Sequence, residues 1–181
     1  MTPTVHLTDL RTVAGLFATG VTVVSAPEEG TDVPHGMTAN GFMSVSLDPA
    51  LVCVSVSVRA RLHEVLSAAP RYGVTLLGAD LEPEARRFAG QIVTSSPAHF
   101  DYHGGVPVLA GGLAWLTCRT LDRHRAGDHT LFIAEVVEMM VERPDAPPLA
   151  FYRSRFSAVN PVISTVPVSL DPWSGVGDLW G

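Results

Sequence analysis

Two long β-type runs, residues 113–121 and 129–141, are separated only by a polar turn around Ala126-Gly127-Asp128. Runs joined by so few turn residues must pair antiparallel, because a parallel partner needs a crossover of about a dozen residues or more. Residues 51–58 add a third run that alternates. Ser55 and Ser57 fall on one face and Val52, Val54 and Val56 on the other, as in the wall of a barrel. Residues 21–25 supply a fourth, β-branched run. The pattern does not alternate strand and helix, so a doubly wound α/β sheet is excluded.

Shorter elements fill the rest. Thr8 can cap a helix with an apolar face of Leu10, Val13, Ala14 and Phe17, ended by Gly20. Residues 27–34 are acidic and turn-rich, as in a hairpin loop. A strand is expected from near Met37 through a polar loop toward Val45. Residues 61–69 read as a helix with Leu62, Val65 and Leu66 on one side, stopped by Pro70. Residues 74–77 read as a strand, and residues 81–88 as a short helix with Pro83 in its first turn. Residues 91–107 read as loop, and residues 149–152 as a last strand. The expected fold is mainly β with short helices: a six-stranded antiparallel β-barrel. The expected domain spans residues 1–159. An extended tail, 160–181, rich in Pro, Ser and Gly, is expected to lie across a partner subunit.

Composition narrows the function. The 181 residues are 46% apolar and 17% charged, which suits one domain with a large core. The net charge is −6, and all 12 basic residues are Arg. An acidic chain without basic clusters is a poor match for nucleic acid or an anionic membrane. Without Lys there is no Schiff-base chemistry and no P-loop, and Arg is the only strong cation for a phosphate. Cys53 and Cys118 lack disulfide or zinc spacing and read as small buried hydrophobes. With no secretory signal and no apolar run of about 18 residues, the expected location is cytoplasmic. No G-x-G-x-x-G, G-x-S-x-G or H-E-x-x-H motif is present, so nicotinamide in a Rossmann crevice is not expected.

Five segments could carry chemistry. The segment from His35 to Pro49 holds Thr38, Asn40, Ser44 and Ser46 with two glycines, which suits hydrogen bonding along the edge of a flat heterocycle. Arg59-Ala60-Arg61 joins a strand end to a helix start; it is either an anion site or a surface ion-pairing segment. In Arg86-Arg87-Phe88 the two arginines complement a helix C-terminus. His129 opens a strand after Gly127-Asp128, where an imidazole could sit at the mouth of a pocket or simply follow a turn. His99-Phe100-Asp101-Tyr102-His103 is a weak metal signal on a segment read as a solvated loop.

Six segments, in order over residues 8–157, resemble the flavin reductase-like family with its FMN-binding split barrel. The likeness is to the small NAD(P)H:flavin reductases of two-component monooxygenases. The segments are Phe17 to Val24, His35 to Asn40, Ser44 to Pro49, Arg86 to Gly90, Ala126 to His129, and Tyr152-Arg153. The resemblance implies a homodimer with flavin in a groove at the interface. It implies reduction of free FMN or FAD by NADH or NADPH, with reduced flavin passing to a flavin-dependent monooxygenase. Met37, Thr38, Ala39 and Asn40 correspond to the segment at the isoalloxazine edge. Ser44, Val45, Ser46, Ser55, Arg59 and Arg61 correspond to the surroundings of the ribityl chain and phosphate, and Arg87 and Phe88 to a further flavin contact. His129 corresponds to the catalytic residue beside the flavin and nicotinamide rings, and Tyr152 with Arg153 to a hold on the dinucleotide. Gly41 and Leu62 stand where relatives often carry a hydroxyl. Each loss weakens flavin by roughly 0.5–1.5 kcal/mol, so flavin is expected to exchange as a substrate. Other split barrels, an FMN electron-transfer protein without nicotinamide turnover or a pyridoxamine-phosphate-oxidase-like oxidase, are the alternatives.

Overall fold

The computed structural model describes residues 7–159 except 29, 32, 95 and 96. The side chain of Thr8, with its expected cap, and the tail 160–181 lie outside the described residues. The described chain is mainly β with three short helices. Helix α1 (Leu7–Ala14) is followed by strands β1 (Thr19–Gly20), β2 (Thr22–Ala26), β3 (His35–Ala39), β4 (Phe42–Leu47) and β5 (Ala50–Ser57). Helix α2 (Arg61–Ala68), strand β6 (Arg71–Leu76), a 3-10 turn (Ala79–Leu81) and helix α3 (Glu82–Phe88) come next. The chain then forms β7 (Phe100–His103), β8 (Val106–Leu109), β9 (Ala114–Ala126), β10 (His129–Val141), β11 (Leu149–Tyr152) and β12 (Arg155–Ala158).

The main sheet has seven strands in the order β3-β2-β6-β9-β10-β5-β4, where six were expected. Every neighbouring pair is antiparallel. The extra strand arises because the run expected from Met37 to Val45 breaks at Asn40-Gly41. Its halves, β3 and β4, sit at opposite edges of the sheet. Two linking residues can span no more than about 10 Å. The sheet therefore curls until its edges meet, and the Ser55 amide of β5 donates to the Gly41 carbonyl at 2.8 Å.

The interior of the curl holds Val24, Val54, Val56, Tyr72, Val74 and Phe132. Helix α2 adds Leu62 and Leu66, both at 0% exposure. Each fully buried leucine contributes roughly 1.5–3 kcal/mol. Leu62 therefore faces the core and offers nothing to a phosphate. A second cluster of Val21, Val23, Leu77, Ala85, Leu109 and Leu149 lies under α3 and β11.

Several expectations need correction. Helix α1 ends at Ala14, and Gly20 belongs to β1. Its expected core face is outward: Leu10, Val13 and Phe17 are all exposed. Within residues 91–107, read as loop, the chain forms β7 and enters β8. That hairpin is docked by the Pro107 carbonyl, which accepts from Ser25 Oγ at 2.8 Å. Gly73 makes the approach possible, since a Cβ there would meet the Pro107 oxygen at 2.1 Å. His103 stacks on Trp115, and His99 faces Asp101, so the weak metal signal resolves into separate contacts. No cluster of three potential metal ligands occurs among the described residues. Cys53 and Cys118 are free and buried, and burial pushes the Cys118 thiol up to about 12. No helix among the described residues is long and apolar enough to cross a membrane.

Candidate functional site

Register decides which polar side chains share a surface. In β10, Thr130, Phe132 and Ala134 are buried, so His129, Leu131 and Ile133 face outward. In β5, Val54 and Val56 are at 0% exposure, so Ser55 and Ser57 face outward as well. The ladder pairs His129 with Ser57 and Leu131 with Ser55. Four neighbouring positions on the outer face therefore combine one imidazole, two hydroxyls and an apolar side chain. The exposed Asn40 and Gly41 adjoin this surface, with Gly41 bonded to Ser55. A Cβ at Gly41 would lie 3.1 Å from Ser55 Cβ, so the loop passes close over that serine.

Strand β4 continues the surface with a break. Met43 pairs with Cys53, Ser44 with Val52 and Ser46 with Leu51, and Val45 is the extra residue of a bulge. The bulge turns Ser44 and Ser46 to opposite faces, and Ser46 is the one on the face of Ser55. Without it, two serines two residues apart would share a side.

His129 is held by its turn. Its Nδ1 lies 2.8 Å from Asp128 Oδ1. An ionised carboxylate only accepts, so Nδ1 carries the proton and Nε2 is left free to face a ligand. The hydrogen bond from His129 holds the Asp128 carboxyl below its ordinary range, helped by the charges of His129 and Arg59. The Val58 amide donates to the Asp128 carbonyl at 3.0 Å, and the Arg59 amide to Ser57 Oγ at 3.4 Å. Arg59 is thus brought beside His129. Arg61 is not: it is exposed and ion-paired with Glu28. Behind the strand, His63 of α2 lies 2.8 Å from Thr130 Oγ1, tying the helix to the start of β10.

The remaining expected residues form a second group around α3. Met37 packs on the core and Ala39 is buried. Thr38 Oγ1 donates to the Ala85 carbonyl at 2.7 Å, so its proton is committed within the protein. Phe88 meets Phe100 edge-on at 5.7 Å and covers Gly36, where a Cβ would lie 2.8 Å from the ring. Arg87 is half-buried on the same helix. Arg86 stands over Phe156 at 5.3 Å, bringing the β11–β12 hairpin to α3. At the hairpin tip Arg153 (φ 48°) and Ser154 (φ 61°) are both left-handed, and the Arg153 guanidinium lies over the Tyr152 ring. Such backbone, in residues other than glycine, costs of order 1–3 kcal/mol each and clusters at functional sites.

Ser57 and Leu131 belong to the surface although residue type alone did not mark them, and cross-strand register would have found them; Asp128 follows from its place next to His129. Glu28, which holds Arg61, has no local signal at all.

The flavin reductase-like domain model matches residues 14–160. An NADH-dependent flavin reductase of Rhodococcus is 42% identical over 159 residues, covering 87% of this chain and 89% of its own. The styrene monooxygenase flavin reductase of Pseudomonas putida superposes with a TM-score of 0.77 at 38% identity, over 88% of this chain and 99% of that one. The NADH:FAD oxidoreductase of Streptomyces globisporus gives 0.77 at 36% identity, over 89% and 99%.

Proposed function

The chain belongs to the flavin reductase-like domain family, and on that premise we propose that it is an NADH:flavin oxidoreductase supplying reduced flavin to a partner monooxygenase. The observation that carries this reading is the outer face of β5 and β10, where Ser55, Ser57, Leu131 and an Asp-oriented His129 lie together beside Asn40. The bent β3–β4 segment counts as one strand in this reading, so the curled sheet is a six-stranded split barrel. The active form is a homodimer in the cytoplasm. The folded unit is residues 1–159.

Bound flavin supplies a hydride acceptor, and the reduced nicotinamide supplies the hydride. The protein's part is to position the two. Leu131 and Met43 would shelter a ring face from water. Asn40 and neighbouring backbone groups would hold the ring edge. Ser46, Ser55 and Ser57 offer hydroxyls along the ribityl chain, and Arg59 offers the charge for its phosphate. His129 is the catalytic residue, with Nε2 facing the rings while Asp128 fixes the other nitrogen. Tyr152 and Arg153, with Arg87, would engage the dinucleotide. Hydride transfer needs aligned rings and no strong general base, which fits a surface with one oriented imidazole.

The test is the loss of nicotinamide absorbance under air with added flavin. Turnover that rises and saturates with free FMN or FAD is expected. A protein that stays yellow through dialysis and does not turn over NADH is instead an electron-transfer protein, and the proposal fails.

A further inference from the structure

A cleft of about 560 Å3 runs along α2. Its size lies within the range of about 300–1,000 Å3 usual for small-ligand sites. One wall is the helix face formed by Arg61, Glu64, Val65 and Ala68, at the spacing of successive turns. The other includes Val106 and Gly105 of the β7–β8 hairpin, with Arg71 at the far end. Arg71 Nη1 donates to the Gly104 carbonyl at 3.3 Å, while its Nε has no hydrogen-bond partner among the described residues. The cleft is therefore apolar along its length, with the Arg61–Glu28 ion pair at one end and Arg71 at the other, and is bordered by the exposed Glu64 carboxylate.

Its position gives it a ligand. Arg61 stands two residues from Arg59, which lies beside Asp128 and His129. A flavin with its rings near His129 and its first phosphate at Arg59 ends there if it is FMN. If it is FAD, the adenosine phosphate still has to be accommodated, and the next feature along the chain is this cleft. An apolar wall suits a purine face, Glu64 can accept from an exocyclic amine, and a flat guanidinium such as that of Arg71 stacks on aromatic rings. Arg61 keeps donors for a phosphate while paired with Glu28, because a guanidinium has five.

Resting on the flavin site proposed above, we propose that the cleft beside α2 receives the adenosine-phosphate half of FAD and makes FAD the preferred flavin. Two equilibrium measurements test it by flavin fluorescence, without NADH. In the first, adenosine monophosphate is titrated into the unmodified protein with each flavin. It should displace FAD competitively and leave FMN bound. In the second, Ala68→Trp fills the cleft from an exposed position and should weaken FAD about tenfold or more with FMN within about twofold. Steady-state assays should then show the KM for FAD rising and that for NADH unchanged. Equal effects on both flavins, no effect on either, or a rise confined to NADH would overturn the assignment. If the unmodified protein binds FMN but adenosine monophosphate does not compete with FAD, this inference fails alone. If it binds neither flavin, the functional reading falls with it.

Discussion

His129 owes its orientation to a single carboxylate that is itself fully exposed. Its proposed task is alignment, and misplacement by about 1 Å can cost a reaction of this kind of order 100-fold. His129→Ala is expected to lower the rate of hydride transfer at least about tenfold while flavin affinity changes by less than about threefold. Stopped-flow reduction and equilibrium titration on one variant separate these, and equal losses in both would argue against the role. Tyr72 is the opposite kind of residue. Its ring is at 0% exposure, and its hydroxyl has no partner among the described residues. Burial raises its pKa, so the group stays neutral and the cost is an unmade hydrogen bond. An orphaned buried polar group costs roughly 1–3 kcal/mol. Tyr72→Phe should therefore leave thermal stability unchanged or raise it, and a clear drop in Tm would reveal a partner for that hydroxyl.

The β2–β3 hairpin carries a pH response. His35, at the start of β3, has its pKa lowered chiefly by burial, with Glu28 opposing and Arg61 reinforcing the shift. The folded protein thus favours the neutral ring more than the unfolded chain does. That contribution to stability is complete above the unfolded value of about 6.5 and is lost as pH falls through the lower folded value. His35→Gln should flatten the acid-side decline of Tm below about pH 6.5; an unchanged slope would place the sensitivity elsewhere. Elements of this kind were legible where periodicity was strong. The stops and faces of α2, the β9–β10 hairpin and β5 followed from Leu62, Val65 and Leu66, from Gly127-Asp128, and from the alternating Val and Ser. What stayed hidden depended on distant partners. The apolar positions of α1 predict burial, yet they face outward. The Phe100–His103 and Val106–Leu109 strands are short and broken by Gly and Pro, and what docks them is Gly73, some 30 residues earlier. The site was legible as residue types, but the opposite facing of Ser44 and Ser46 depends on a bulge, and Arg61's turn toward Glu28 on a loop.

At the scale of the whole molecule, the long β9–β10 ribbon is staggered. Strand β5 pairs with β10 only as far as Glu135, so residues 136–141 meet β9 on one side and no strand of the main sheet on the other. Val137, Met139, Met140 and Val141 are all exposed there, Met139 at 68%. An open apolar strand edge invites pairing with another chain, and large exposed apolar patches mark contact surfaces. This favours the proposed homodimer. Met140→Asp should convert dimer to monomer by light scattering on a sizing column and reduce turnover, most strongly at low protein concentration. A wild-type protein already monomeric at micromolar concentration would remove the dimer from the proposal. The two-residue link at Asn40-Gly41 imposes a different demand. It ties the two edges of the curled sheet together at one corner with covalent bonds, so the edges cannot part at that point. Lengthening the link would slacken the tie and let Asn40 drift from Ser55. The Gly127-Asp128 turn, which holds His129, is the other turn whose length bears on the chemistry.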